Sequence, residues 1–162
     1  MEVPKNWKRV DVKGIDSFVG RIDIDSAKSI GFNMGWYCDN LEEGKFTDYY
    51  NIDFGNVYIP DTSKKRATDN TTYWKYFGKA DRATIAKVKR QVSVYTNIDQ
   101  YRAKIVTPKV TGIGITGVYI DSLWKAGDSP EGFVLCGENL TFKQQRQLLS
   151  AIKTLRFYQK SK

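Results

Sequence analysis

The sequence predicts a single α+β domain over residues 1–162: a curved, mainly antiparallel β-sheet with a C-terminal amphipathic helix, at about 141–153, packed on one face. Three observations predict it. In residues 29–38 the side chains alternate, with Ile30, Phe32, Met34, Trp36 and Cys38 on one face and Ser29, Gly31, Asn33, Gly35 and Tyr37 on the other, which is strand periodicity with a greasy side that needs a cover. Residues 113–123 and 133–136 are β-prone and are joined by the turn-rich run Lys125-Ala126-Gly127-Asp128-Ser129-Pro130-Glu131-Gly132, which reads as a hairpin. After it, Phe142, Leu148, Leu149, Ile152 and Leu155 recur at near-helical spacing. Thr141 and Gln144 supply a capping box at the start of that helix.

The remaining elements follow in chain order. Residues 1–14 form a lead-in anchored by Trp7, with a short alternating piece at 10–12. Residues 17–25 alternate as a strand, with an irregularity marked by Gly20 that is compatible with a bulge. The turn at 25–28 is too short for a crossover, so this strand pairs antiparallel with 29–38. Residues 39–82 are rich in turn chemistry and read as a long aromatic-rich loop insertion, with one short strand at 56–59. Its many rings argue against a solvated linker. In 83–95 Ile85, Val88 and Val92 fit a helix face, but the β-branched content favours a strand over 87–95. A turn at 96–100 and a strand at 101–107, ended by Pro108, complete the set.

Composition bounds the function classes. With 26 Lys and Arg against 18 Asp and Glu, the chain carries +8, a bias toward anionic surfaces spread over mixed-sign segments. No run of ~18 apolar residues is present to span a membrane as a helix. The first residues lack the apolar core of a signal peptide, so the expected location is the cytoplasm, or outside it where an export signal has been removed ahead of Val3. Cys38 and Cys136 are either a disulfide in an oxidising compartment or two small buried side chains that never meet.

The chain contains no histidine, which excludes from it serine–histidine triads and histidine–zinc hydrolases. Gly112-Ile113-Gly114-Ile115-Thr116-Gly117 has the spacing of a dinucleotide fingerprint, but a β-prone run follows where a helix would have to open. Its glycines are therefore read as allowing close approach of neighbouring strands. Glu42 with Glu43, and Asp121 with Glu131, do not mark a cleft. The expectation is a non-enzyme with no catalytic, cofactor-binding or metal-ligating residues. Two surfaces are candidates for binding. One is the aromatic set Tyr49, Tyr50, Tyr58, Tyr73, Trp74 and Tyr76, read either as binding anchors or as rings roofing a second small core. The other is a basic patch on and after the last helix, Lys143, Arg146, Lys153 and Arg156, extended by Lys160 and Lys162. Lys64-Lys65-Arg66 and Lys87, Lys89 and Arg90 add two cationic clusters near aromatic residues.

Five phrases carry a resemblance: Gly14-Ile15-Asp16-Ser17-Phe18-Val19-Gly20, Ile30-Gly31-Phe32-Asn33-Met34-Gly35-Trp36-Tyr37, Thr116-Gly117-Val118-Tyr119-Ile120, Gly137-Glu138-Asn139-Leu140-Thr141 and Thr154-Leu155-Arg156-Phe157. They resemble a group of uncharacterised bacterial proteins, common in Bacteroidetes-like genomes, that often begin with an export or lipoprotein signal. The resemblance covers the two ends and not residues 41–82. The order of strands and helix is also similar to the PsbP-like α/β sandwich, whose members are accessory, chaperone or binding proteins. The resemblance implies a non-enzymatic binding or accessory protein of the bacterial envelope. Two alternatives are an intracellular immunity protein or effector chaperone that binds an acidic protein partner, and a nucleic-acid-binding protein using its basic surface.

Overall fold

The computed structural model describes residues 1–14, 17–64, 71–126 and 129–158. In chain order the first strands are β1 (Lys8–Asp11), β2 (Phe18–Asp23), β3 (Ser29–Gly35), β4 (Asn51–Asp53), β5 (Asn56–Pro60) and β6 (Trp74–Lys79). Helix α1 (Arg82–Val88) follows, then β7 (Gln91–Ile98), β8 (Tyr101–Pro108), β9 (Ile115–Ala126), β10 (Ser129–Glu138) and helix α2 (Phe142–Lys153). The chain is α+β, mainly antiparallel, with a C-terminal helix as the sequence predicts. It divides into two compact units, Met1–Leu41 with Arg90–Lys162, and Glu42–Lys89.

The first unit is a seven-stranded sheet in the order β1-β2-β3-β10-β9-β8-β7. Every neighbouring pair is antiparallel. One face carries the main core, where Ile30 of β3, Val118 and Ile120 of β9 and Leu135 of β10 meet Leu148, Ala151 and Ile152 of α2. Phe142 is the exception on the predicted helix face, because it sits in the first turn and remains 63% exposed. The helix starts as the capping box dictates: Thr141 Oγ1 accepts from Gln144 N–H at 3.4 Å, and Gln144 Oε1 accepts from Thr141 N–H at 2.9 Å. The opposite face carries a smaller cluster of Leu41, Val106 and Val134, with Cys38, Ile115, Tyr119 and Cys136 packed against it.

Four expectations are corrected. Trp36 is not a core residue: β3 ends at Gly35, where its pairing to β2 and β10 stops, and Trp36 lies 60% exposed in the following turn. Alternation predicts a face only while ladder partners hold the pleat. Gly20 is not a bulge, because β2 runs in unbroken register from Phe18↔Met34 to Asp23↔Ser29; it is glycine because the Phe32 ring lies where a Cβ would stand. The ambiguous 83–95 run resolves into both forms, α1 first and β7 after it. Asp81 caps α1 by accepting Thr84 N–H at 2.7 Å. The hairpin also runs further than expected, with Ala126 paired to Ser129 and most of 125–132 in strand. Residues 127–128 lie outside the described ones.

The second unit replaces the expected long loop at 39–82 with a three-stranded antiparallel sheet, β4-β5-β6, and α1. Strands of three to six residues are too short to show a period of two above the noise of their turns. The unit has its own centre in Tyr50 and Val57, both without exposure. Phe77 is the extra residue of a bulge, since Val57 pairs with Gly78 and Tyr58 with Tyr76.

Candidate functional site

The first unit holds a groove of about 690 Å³ between α2 and the β7–β8 hairpin. Val94 and Ile98 of β7, Ile105 of β8, and Leu149 and Ile152 of α2 give it apolar walls, while Lys153, Arg156 and Asp99 stand at its margin with Thr96, Asn97 and Thr107. The groove follows from element lengths. The helix meets the sheet chiefly over β9, and β8 and β7 extend past it, so Val94 stays 59% exposed on the helix-bearing side. After α2 the chain is held down by Phe157, whose ring meets Tyr101 and Phe133 edge-on at 5.5 and 5.2 Å. Phe157 N–H donates to Asp99 Oδ2 at 3.1 Å, so that carboxylate is already partly engaged. Arg156 donates one Nη1 bond to Leu155 O at 2.7 Å, and a guanidinium has further donors to offer.

The four predicted basic residues therefore fall into two pairs. Lys153 and Arg156 line the groove, whereas Lys143 and Arg146 line a shallower hollow of about 420 Å³ with Phe142, Gln147 and Ser150. The Arg146 guanidinium lies over the Phe142 ring, 5.7 Å from its centre. Spacing along one helix cannot reveal this division, because only the packed sheet decides which side faces a cleft. Lys65, Arg66, Lys160 and Lys162 lie outside the described residues.

The predicted aromatic set is divided as well. Tyr50 is unavailable to a partner: it is fully buried, and its hydroxyl donates to Gly44 O at 2.8 Å. Burial beside Glu43 pushes its phenol up to about 12. Tyr49 packs edge-on against Tyr50 at 5.3 Å and donates to Glu43 Oε1 at 2.5 Å. Tyr58 and Trp74 of the small sheet and Tyr73 just before β6 are half-buried, and Tyr76, 6.2 Å from Tyr58, is exposed. Of the six, Tyr50 alone is fully buried.

Sequence reasoning missed the exposed rings beside them. Phe54 is 95% exposed at the β4–β5 turn and has φ 42°, a left-handed conformation that a bulky side chain rarely adopts. With Gly55 at φ 75° it makes the two-residue hairpin turn that asparagine–glycine normally makes. A phenylalanine in the asparagine position hides that signal. Phe54→Asn is expected to raise the unfolding free energy of this unit by about 1 kcal/mol, read by thermal denaturation; a lower stability would show that the ring is held by the fold.

Two sequence motifs gain a structural role. Gly112 and Gly114 take φ of 90° and 111° in the turn before β9, and Gly114 N–H donates to Asn139 Oδ1 at 2.8 Å. A Cβ on Gly117, the third residue of β9, would stand 2.5 Å from Leu135 O, so this glycine serves close strand approach, and a strand stands where a dinucleotide fingerprint needs a helix. Cys38 and Cys136 are free thiols. Cys38 Cβ lies 3.3 Å from the place of a Gly132 Cβ, four residues along β10 from Cys136, or about 13 Å of strand, beyond disulfide reach. Burial pushes the Cys136 thiol up to about 11, with Glu138 and Asp39 adding to the effect. Among the described residues no three of Cys, Asp and Glu gather as a metal site, and no helix is long and apolar enough to cross a membrane. Comparison with protein-family models, with curated proteins and with solved structures finds no match.

Proposed function

We propose that this is a binding protein whose first unit takes up an amphipathic anion, an apolar chain ending in a carboxylate, in the groove between α2 and the β7–β8 hairpin. The observation that carries this reading is the juxtaposition of Val94, Ile105 and Leu149 with Lys153 and Arg156 in one concavity of about 690 Å³. Ligand sites commonly occupy about 300–1,000 Å³, with mostly apolar walls and a few polar groups that fix orientation. The two cations select the sign of the head group, and a guanidinium can hold a carboxylate through two bonds at once. The resemblance at the ends of the chain makes the bacterial envelope the proposed place of action.

Dodecanoate titrated into the protein by calorimetry tests the reading, with dodecanol as the uncharged control. Dodecanoate is expected to bind more tightly than dodecanol. The double variant K153E/R156E is expected to weaken dodecanoate by at least about tenfold without changing the folded spectrum. Leu149→Asp should abolish binding of both. Binding that ignores Leu149→Asp, or no binding of either probe, overturns the proposal.

A second reading is favoured by Phe54 alone: its exposed ring on a strained turn in the second unit is suited to a pocket on a partner protein. A photo-reactive phenylalanine analogue at position 54 should then give one discrete crosslinked product in the native cell. A featureless smear or no product removes this reading.

A further inference from the structure

We propose that β7 is the seam of a homodimer in which two copies pair their β7 edges antiparallel across a two-fold axis, joining their seven-stranded sheets into one. The sheet has two edges, β1 and β7, and they differ in kind. β1 is four residues long and carries Lys8, Arg9 and Asp11, the short charged form by which edges resist pairing. β7 is eight residues long, Gln-Val-Ser-Val-Tyr-Thr-Asn-Ile, without a charge or a proline, and its register to β8 runs unbroken from Gln91↔Pro108 to Ile98↔Tyr101. The strand itself carries none of the protections that sequence can supply, neither charge, proline, bulge nor shortness, and its residues 92–97 are exposed.

The backbone shows which groups are free to pair. Lys109 N–H donates to Arg90 O at 2.7 Å, in line with the β7–β8 register, so the even-numbered residues of β7 turn their peptide groups toward β8. Ser93, Tyr95 and Asn97 therefore turn theirs toward the open edge. Val92 and Val94 are 43% and 59% exposed on the helix-bearing face of this strand, and Tyr95 is 56% exposed on the opposite face.

Charge decides the occupant. β7 carries no charge, and the Arg102 guanidinium of β8 beside it is held on the Tyr95 ring, 4.5 Å from its centre, so the strand offers a foreign anionic segment no cation of its own. An uncharged strand meets its own copy without repulsion. Two-fold antiparallel pairing makes each strand its own complement, setting the valine–threonine side of one copy against the same side of the other.

Sedimentation velocity and light scattering of the full chain, from micromolar to near-millimolar concentration, read the oligomeric state, which is independent of the ligand titration above. The native chain is expected to dimerise. Ser93→Pro removes an outward N–H while leaving the bonds to β8, and Tyr95→Lys brings like charges to the seam; each is expected to leave a monomer with an unchanged folded spectrum. For the native chain, amide exchange at Ser93, Tyr95 and Asn97 should slow as concentration rises. A monomer throughout, open-ended aggregates in place of a dimer, a dimer that survives both substitutions, or exchange independent of concentration would each overturn the proposal.

Discussion

Leu148→Ala is expected to lower the unfolding free energy by about 3–5 kcal/mol, the largest loss for any single truncation on α2. Leu148 has no exposure and lies in the core between the helix and the sheet face that carries Ile30, Val118 and Leu135. Truncation removes the buried isobutyl group and leaves a cavity that a helix fixed at both ends cannot collapse to fill. The capping box holds its start, and Leu155, 7% exposed, is buried just beyond its end. Trp36→Ala is the comparison to run beside it. A ring left 60% exposed in a turn should cost less than about 0.5 kcal/mol when removed, although it is much larger than leucine. Urea denaturation followed by far-ultraviolet circular dichroism measures both. Equal losses would mean that Trp36 is packed after all.

Gly117→Ala is expected to cost about 3 kcal/mol or more, by adding one methyl group. The new Cβ would stand 2.5 Å from Leu135 O, 2.6 Å from Cys136 Cβ and 2.9 Å from Cys136 Cα. Two of those atoms are backbone of β10, the strand hydrogen-bonded to β9 in the middle of the sheet, so relief requires moving a ladder with strands on both sides. Gly31→Ala makes the control, because a Cβ there meets nothing within 4 Å. It should be neutral or slightly stabilising, since alanine gives the unfolded chain less freedom to lose. If Gly117→Ala were as mild as Gly31→Ala, close strand approach would not be the reason for this glycine.

Period and composition alone were enough for the C-terminal helix with its Thr141 cap, for the pairing of β2 with β3 and of β9 with β10, and for the absence of any imidazole chemistry in this chain. These rest on local rules: a capping hydroxyl at a fixed offset, a period that matches one element type, a link too short to cross over. Packing decided the rest. Trp36 and Leu148 are both apolar and both in phase with their elements, yet only Leu148 is covered, because burial depends on a neighbouring element that local periodicity does not encode. The same holds for Lys143 and Lys153, equivalent as charges on one helix. Where the sheet outruns that helix a groove opens, and its walls come from residues more than 50 positions apart, brought together only when α2 closes over the β9 side of the sheet.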